Sequence, residues 1–298
     1  MRYRDVSDVV EEIKFLNEQY GVDYFSPMDD LFTANKPRTL ALLTAISELN
    51  IPNIGFQFPN GLSIATTDED IIDAMVACGV ESANFAIETG TEYMQQCVVK
   101  KNCDLEKAKR LVKYAREKGI VTRCNFIFGF PGETKEMMLE TVQYMNTIEP
   151  DWFNVYNATP LIGTEMYTQF VDKGCIIDGE EAWVGMTEQH RYFDTEEITG
   201  QELMEFTYRT NLELNFLNNP NIRLGNLDRA RMLFHDILFH YPFQIFAWYG
   251  ILIANRLDTK NTDNEESIFN KIRHLIVTDE RAKELSIAYQ DLLVGIAK

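Results

Sequence analysis

The chain has 298 residues and a formal net charge of −18, with 45% hydrophobic and 25% charged residues. This length and composition predict one large folded domain, or one domain with an appendage. The negative charge argues against a nucleic-acid groove, because phosphate binding needs clustered lysines and arginines. No apolar run reaches the ~20 residues that cross a bilayer. The five cysteines include no CxxC pair and favour free thiols in the cytoplasm.

Helices and strands alternate through the first half of the chain. Apolar residues recur at helical spacing in five segments, three of which end at Gly21, Gly79 and Gly119. The predicted helices cover residues 5–20, 37–49, 68–78, 105–118 and 135–147, and the predicted strands cover residues 22–28, 54–58, 80–87, 120–128 and 151–158. This alternation predicts the α/β class, with parallel strands closed or partly closed as a TIM-like (β/α) barrel.

A polar or glycine-rich cluster follows each predicted strand. The clusters are Asp29 with Asp30, Asn60 with Gly61, Glu88 with Gly90, residues 129–133 and residues 160–164. The carboxyl ends of parallel strands share one edge of the sheet, and ligands bind at that edge. We therefore expect the five clusters to form one binding mouth.

The stretch at residues 126–134 is the most informative of these. Its apolar strand runs through a Gly-Pro-Gly turn into a helical pattern, which places backbone N–H groups and a positive helix end at the mouth. The alternative is a turn that needs glycine and proline only for its geometry. On this stretch alone, both interpretations stay open.

The predicted strands stop after Thr164. Residues 171–200 form an acidic connecting segment, and residues 201–298 have a helical pattern. Small, aromatic and proline positions between Gly225 and Tyr249 resemble one tetratricopeptide unit, a repeat of about 34 residues. We expect residues 1–170 to form the core and the helices to be an extension packed on it, with a protein partner as their possible ligand.

Several motifs occur in the order found in the radical S-adenosylmethionine (SAM) superfamily, in the branch joined to cobalamin-binding domains. VVEEI at residues 9–13 resembles the helix after the cluster loop of that family. DDLF at 29–32, IETGT at 87–91, GFPGET at 129–134 and PLIGT at 160–164 resemble its motifs after the second, fourth, fifth and sixth strands. The resemblance covers residues 2–164 and implies SAM as a cofactor.

The resemblance also implies roles for individual residues in SAM binding. Asp29 and Asp30 would lie near the amino group of SAM, and Glu88 near its ribose or methionine part. Arg123 would pair with its carboxylate if the side chain faces inward, and Pro160 would help to form the adenine wall. The full set of predicted binding residues is Asp29, Asp30, Asn60, Glu88, Gly90, Arg123, Gly129, Pro131, Gly132, Glu133, Pro160, Gly163 and Thr164.

The chain departs from the family pattern at the [4Fe–4S] cluster. The family binds that cluster through a CxxxCxxC loop after its first strand, and the cysteines at positions 78, 97, 103, 124 and 175 form no such triplet. The first family strand is also missing. We expect that no cysteine of this chain binds a metal and that the chain alone is inactive.

Two explanations of this departure remain. In the first, the chain is an N-terminally shortened part of a radical SAM enzyme, which performs radical chemistry or cobalamin-dependent methyl transfer on an unknown substrate. In the second, it is a cluster-free module that binds a ligand or a protein. Phosphate is the alternative ligand class for a generic barrel, although it would leave Asp29, Asp30 and Glu88 unexplained.

Overall fold

In the computed structural model of the chain, residues 3–101, 103–177, 179, 187, 190, 191, 193–259 and 265–293 are described. The chain divides into two compact units. The first comprises residues 1–150 and 156–200, and the second comprises residues 151–155 and 201–298. Among the described residues, no helix combines the length and the apolar character that a membrane span requires.

A single parallel sheet organises the first half of the chain. Its strands lie side by side in chain order: β1 (Tyr24–Phe25), β2 (Gly55–Ser63), β3 (Val80–Glu88), β4 (Val121–Phe128) and β5 (Trp152–Asn157). A helix lies between each strand and the next along the chain. This arrangement confirms the predicted α/β class, a partial (β/α) barrel followed by a helical C-terminal region.

The helices of the first unit are α1 (Val6–Tyr20), α2 (Lys36–Glu48), α3 (Glu69–Ala77), α4 (Leu105–Glu117), α5 (Lys135–Met145) and α6 (Glu165–Asp172). Side-chain caps start five of them, because the oxygens of Asn35, Asp68, Asp104, Thr134 and Thr164 each accept a backbone N–H of the first turn. A glycine with positive φ, Gly21, ends α1.

One face of the sheet packs under the helices and is fully buried. Alternate residues of β3 and β4 lie on this face, and each is at most 1% exposed: Ala83, Phe85, Ile87, Thr122, Cys124, Phe126 and Phe128. Ile72, Met75 and Leu111, on α3 and α4, are likewise buried. Burial of this apolar area is the main stabilising term for the unit.

Two predicted strands differ from the observed ones. The strand predicted at residues 22–28 is reduced to β1, because only Tyr24 and Phe25 pair with β2. The strand predicted to end at Phe58 continues to Ser63. Its pairing with β3 shifts register between Phe58 and Leu62, and this bulge accommodates the Pro-Asn-Gly sequence that predicted a turn.

The second unit is helical. Its helices are α7 (Gly200–Leu212), α8 (Pro220–Arg223), α9 (Leu227–His240), α10 (Ile245–Leu257), α11 (Glu265–Thr278) and α12 (Glu280–Ala288), with a π-helix at Glu213–Leu217. Phe216, Phe234 and Phe246 lie in its core. The tetratricopeptide resemblance and a protein partner remain predictions for this unit.

A buried polar network attaches residues 151–155 to that helical core. The Asp151 carboxylate is fully buried and accepts hydrogen bonds from Arg229 at 2.5 and 2.7 Å and from Asn221 at 3.0 Å. The Asn215 side chain both accepts the N–H and donates to the C=O of Phe153, each at 2.8 Å. These bonds satisfy backbone groups that would otherwise be buried without partners.

Candidate functional site

The second face of the sheet is polar and only partly buried. The register of the strands places Gln57 beside Ser82, Asn84 beside Arg123 and Ala86 beside Asn125. These positions alternate with the fully buried residues that face the helices, so their side chains lie on the opposite face. The polar face of the sheet comprises Gln57, Ser63, Ser82, Asn84, Arg123 and Asn125.

Arg123 is the one cation of this polar face. Among the residues that the structure describes, its half-buried guanidinium makes no hydrogen bond or ion pair. Gly61, with φ +82°, lies close to Ala86 and Asn125: a Cβ there would be 3.2 Å from the Ala86 Cβ and 3.3 Å from the Asn125 Nδ2. An unpaired guanidinium beside amide groups is suited to a planar anion such as a carboxylate.

Glu88 ends β3 in an unusual backbone conformation. Its φ is +73°, a region that residues other than glycine rarely adopt, and the residue is only 6% exposed. One carboxylate oxygen accepts a hydrogen bond from Lys101 at 2.5 Å. The following turn is held by the buried Gln95, whose amide donates to the carbonyls of Ile87 and Thr89 at 2.6 and 2.8 Å.

The loop after β4 is held from within by its own acid. The Glu133 carboxylate accepts the N–H groups of Gly129 at 2.6 Å and Phe130 at 3.1 Å, so these donors are not available to a ligand. Burial raises the pKa of Glu133 to about 7, and the two N–H groups and the Arg191 charge oppose that rise. Glu133 therefore shapes the loop rather than presenting its carboxylate at the mouth.

Arg191 holds the same loop from its other side. Its Nη2 donates to the carbonyl of Gly129 and, at 3.4 Å, to that of Ala158. The guanidinium lies 5.1 Å from the ring centre of Phe170 and 4.5 Å from that of Phe193. Burial lowers the pKa of Arg191 to about 10. Sequence reasoning missed this residue, since its partners lie 62 and 33 positions away in the chain.

Among the described residues, Asp29 and Asp30 make no hydrogen bond or ion pair with the polar face. Both are exposed after β1. Asp29 lines a cavity of about 360 Å³ that α1 and α2 form with the aromatic side chains of Phe25, Phe56 and Phe58. These rings belong to the helix-covered side of the sheet, and the predicted grouping of Asp29 with Glu88 remains a prediction.

Asn60 and Gly90 also lie in settings other than those expected. Asn60 is exposed within β2 rather than in a turn after it. Gly90 packs on α5: its N–H donates to the Thr141 Oγ1 at 3.1 Å, and a Cβ would lie 2.6 Å from the Tyr144 Cβ. The glycine at position 90 is therefore explained by close helix packing.

The remaining predicted residues lie in the turns after β4 and β5. Gly132 and Gly163 have φ of +77° and +87°, which glycine adopts without strain. Thr164 is the cap of α6. The last two predicted residues, Pro131 and Pro160, are buried.

The described cysteines do not fit an iron–sulfur cluster. Among the residues described, no group of three or more histidines, cysteines or acids is placed to hold a metal ion. Cys78 and Cys124 are buried, and burial raises the pKa of both Cys78 and Cys103 to about 12, which disfavours the thiolate that a cluster needs.

The polar face does fit a nucleoside that carries an amino acid. Arg123 offers an unpaired cation, and the Asn157 Oδ1 at the end of β5 is buried without a hydrogen-bond partner among the described residues. Beside them, Ile127, Phe130 and Ala158 contribute to a small apolar cluster at the carboxyl end of the sheet. Apolar walls with a few directed polar groups are typical of cofactor sites.

The first half of the chain is similar to a known protein family. Residues 1–145, just under half of the chain, match the model of the Radical SAM superfamily, and this match confirms the resemblance predicted from the motifs.

The curated relatives include methyltransferases. The chain is 29% identical over 222 residues to the cytidylyl-2-hydroxyethylphosphonate methyltransferase of Streptomyces wedmorensis, covering 72% of this chain and 41% of that protein. It is 26% identical over 166 residues to an uncharacterized methyltransferase of Pyrococcus horikoshii, covering 56% of this chain and 35% of that protein. The chain thus spans about two fifths or less of the length of these two relatives.

Among solved structures, the radical SAM methyltransferase TsrM of Kitasatospora setae, with cobalamin and a [4Fe–4S] cluster bound, is similar at a TM-score of 0.49 and 21% identity. The similarity covers 53% of this chain and 32% of that one.

Proposed function

We propose that this chain binds SAM on the polar face, at the carboxyl end of the sheet, as part of a radical SAM methyltransferase. The observation that carries the proposal is the unpaired, half-buried guanidinium of Arg123 beside Asn84. The match to the superfamily and the methyltransferase relatives support the choice of ligand. The alternative of a cluster-free binding module has no comparable support.

Each part of SAM has a matching group on this face or at the carboxyl ends of its strands. Arg123 pairs with the carboxylate, in a charge-assisted and bidentate contact. The Glu88 carboxylate pairs with the ammonium group of SAM after Lys101 has left it. Adenine lies against Ile127 and Phe130, whose cluster continues into the residues after β5.

The chemistry of the reaction comes from the cofactor. When bound, SAM supplies an activated methyl group or the source of a carbon-centred radical. The residues of this chain bind SAM, orient it and exclude water. A cluster and cobalamin remain expectations from the motif resemblance, and the substrate remains to be identified.

Ligand-observed NMR tests this proposal, since saturation transfer detects binding even at millimolar affinity. We expect SAM to show saturable binding that S-adenosylhomocysteine competes away and inorganic phosphate does not. Competition by phosphate or ATP at concentrations equal to those of SAM would indicate the phosphate-binding alternative. Absence of saturable SAM binding to the folded chain would overturn the proposal.

A further inference from the structure

A short segment lies across the carboxyl end of the sheet between β3 and α4. It consists of the π-helix Met94–Val98 and the residues that follow, and we refer to residues 94–101 as the strap. Two consecutive lysines of the strap pair with acids from different elements. Lys100 pairs with Glu165 at the start of α6, and Lys101 pairs with Glu88 at the end of β3.

The inner side of the strap is apolar. Met94 is fully buried and belongs to one cluster with Phe130 and Ala158, the residues that follow β4 and β5. Val98 and Val99 pack against that cluster. The strap therefore packs beside the apolar wall that the proposed function assigns to adenine.

The outer attachments of the strap are weak. The lysine side chains of the two ion pairs are 53% and 51% exposed, and exposed pairs contribute little to stability. Lys100 has a φ of +54°, which is strained for a residue with a side chain. A π-helix also departs from the regular hydrogen-bond pattern and is frequent at functional sites. These features favour a segment that is released easily.

The two ends of the Lys101–Glu88 pair differ in exposure. The Glu88 side chain is only 9% exposed, whereas that of Lys101 is half exposed. A buried carboxylate needs a cation, because burial without one is costly. Lys101 can return to water at little cost, provided that another cation takes its place.

We propose that Lys101 is an internal substitute for the cationic part of the ligand, and that it selects for ligands able to replace it on Glu88. In the absence of ligand the strap is closed, with Lys101 on Glu88. A ligand with an ammonium or sulfonium group displaces Lys101, and a neutral ligand does not. The inference rests on the proposed function, since it concerns the same site.

Two ligands and two variants test this selection. SAM carries positive groups, whereas 5′-methylthioadenosine shares the nucleoside but carries none. We expect Lys101→Gln to raise the affinity for SAM about fivefold, which corresponds to the loss of one exposed competing pair. The affinity for 5′-methylthioadenosine stays unchanged. The control Lys113→Gln, on the exposed side of α4, changes neither affinity.

The possible outcomes separate the two proposals. An unchanged SAM affinity in Lys101→Gln, or an equal gain for both ligands, would overturn the substitute role while leaving SAM binding intact. If no variant binds SAM, the proposed function fails, and hydrogen exchange then tests the strap alone. The Val99 N–H donates to the Met94 carbonyl at 2.8 Å. Exchange of this N–H should accelerate in the Lys100→Gln, Lys101→Gln double variant and not in Lys113→Gln. Equal exchange rates in the two variants would contradict the proposal that the two lysines hold the strap in place.

Discussion

Glu133 and Arg191 hold Gly129 from opposite sides. The carboxylate of Glu133 accepts the Gly129 N–H at 2.6 Å, and the guanidinium of Arg191 donates to the Gly129 carbonyl. Both side chains are about 1% exposed. The loop after β4 is thus held by two buried side chains, one from within the loop and one from the segment before α7.

This arrangement predicts a specific pH dependence of stability. Burial raises the pKa of Glu133 from 4.5 to about 7 in the folded protein. The folded state therefore binds more protons than the unfolded state between these values, and the free energy of unfolding falls as the pH rises through that window. The loss is on the order of 3 kcal/mol.

Glu133→Gln should remove most of this dependence. The amide cannot ionise, so the difference between the free energies of unfolding at pH 5 and pH 8 should shrink by roughly 3 kcal/mol. Urea unfolding at pH 5 and at pH 8 measures this difference. The control Glu106→Gln replaces an exposed acid on α4 and should behave as the unchanged chain does. An identical pH difference in Glu133→Gln would show that Glu133 is not the titrating group.

The contact between the turn after β3 and α5 gives a second prediction. Thr141 accepts the Gly90 N–H at 3.1 Å and pairs with the Thr89 hydroxyl at 3.1 Å. Thr141→Val keeps the shape but leaves buried polar groups without partners, so it should lower the free energy of unfolding by about 1–3 kcal/mol. The control Thr44→Val, at an exposed position of α2, should change it by less than about 0.5 kcal/mol. Equal effects would contradict the docking role of Gly90.

Asp151 gives a prediction for the helical unit. Asp151→Asn leaves the partly buried Arg229 without its charge partner and should lower the free energy of unfolding of that unit by about 3 kcal/mol. Chemical unfolding followed by tryptophan fluorescence measures the change, because Trp152 and Trp248 lie in this unit. The exposed Asp236, changed to Asn on α9, is the control. A loss in Asp151→Asn no larger than that in the control would mean that the network contributes little.

Much of the fold could be predicted because its signals are local. The helix caps, the glycines after helices and the alternation of elements all lie within a few residues of the feature they specify. The predicted strand ends at β1 and β2 were wrong for a different reason. Pairing with the neighbouring strand decided where those strands end, and it accommodated Asn60 in a bulge that the sequence alone does not reveal.

The candidate site was predicted less completely. The polar face had a usable signal: Ser82 and Asn84 alternate with buried residues of β3, and Arg123 and Asn125 do the same in β4. The sequence analysis used only Arg123 from this pattern. Arg191 offered little local signal, because its hydrogen-bond partners, Gly129 and Ala158, are distant in the chain.

The most direct test of the account is the SAM affinity of Arg123→Gln beside that of Arg110→Gln. Arg110 lies on α4 and pairs with Glu69 at 3.0 Å, outside the polar face, so it controls for the loss of one arginine. A charge-assisted contact contributes about 1.5–3 kcal/mol. Arg123→Gln should therefore weaken SAM binding about tenfold to a hundredfold, with unchanged stability, and Arg110→Gln should bind as the unchanged chain does. Unchanged SAM affinity in folded Arg123→Gln would contradict the placement of the cofactor on the polar face.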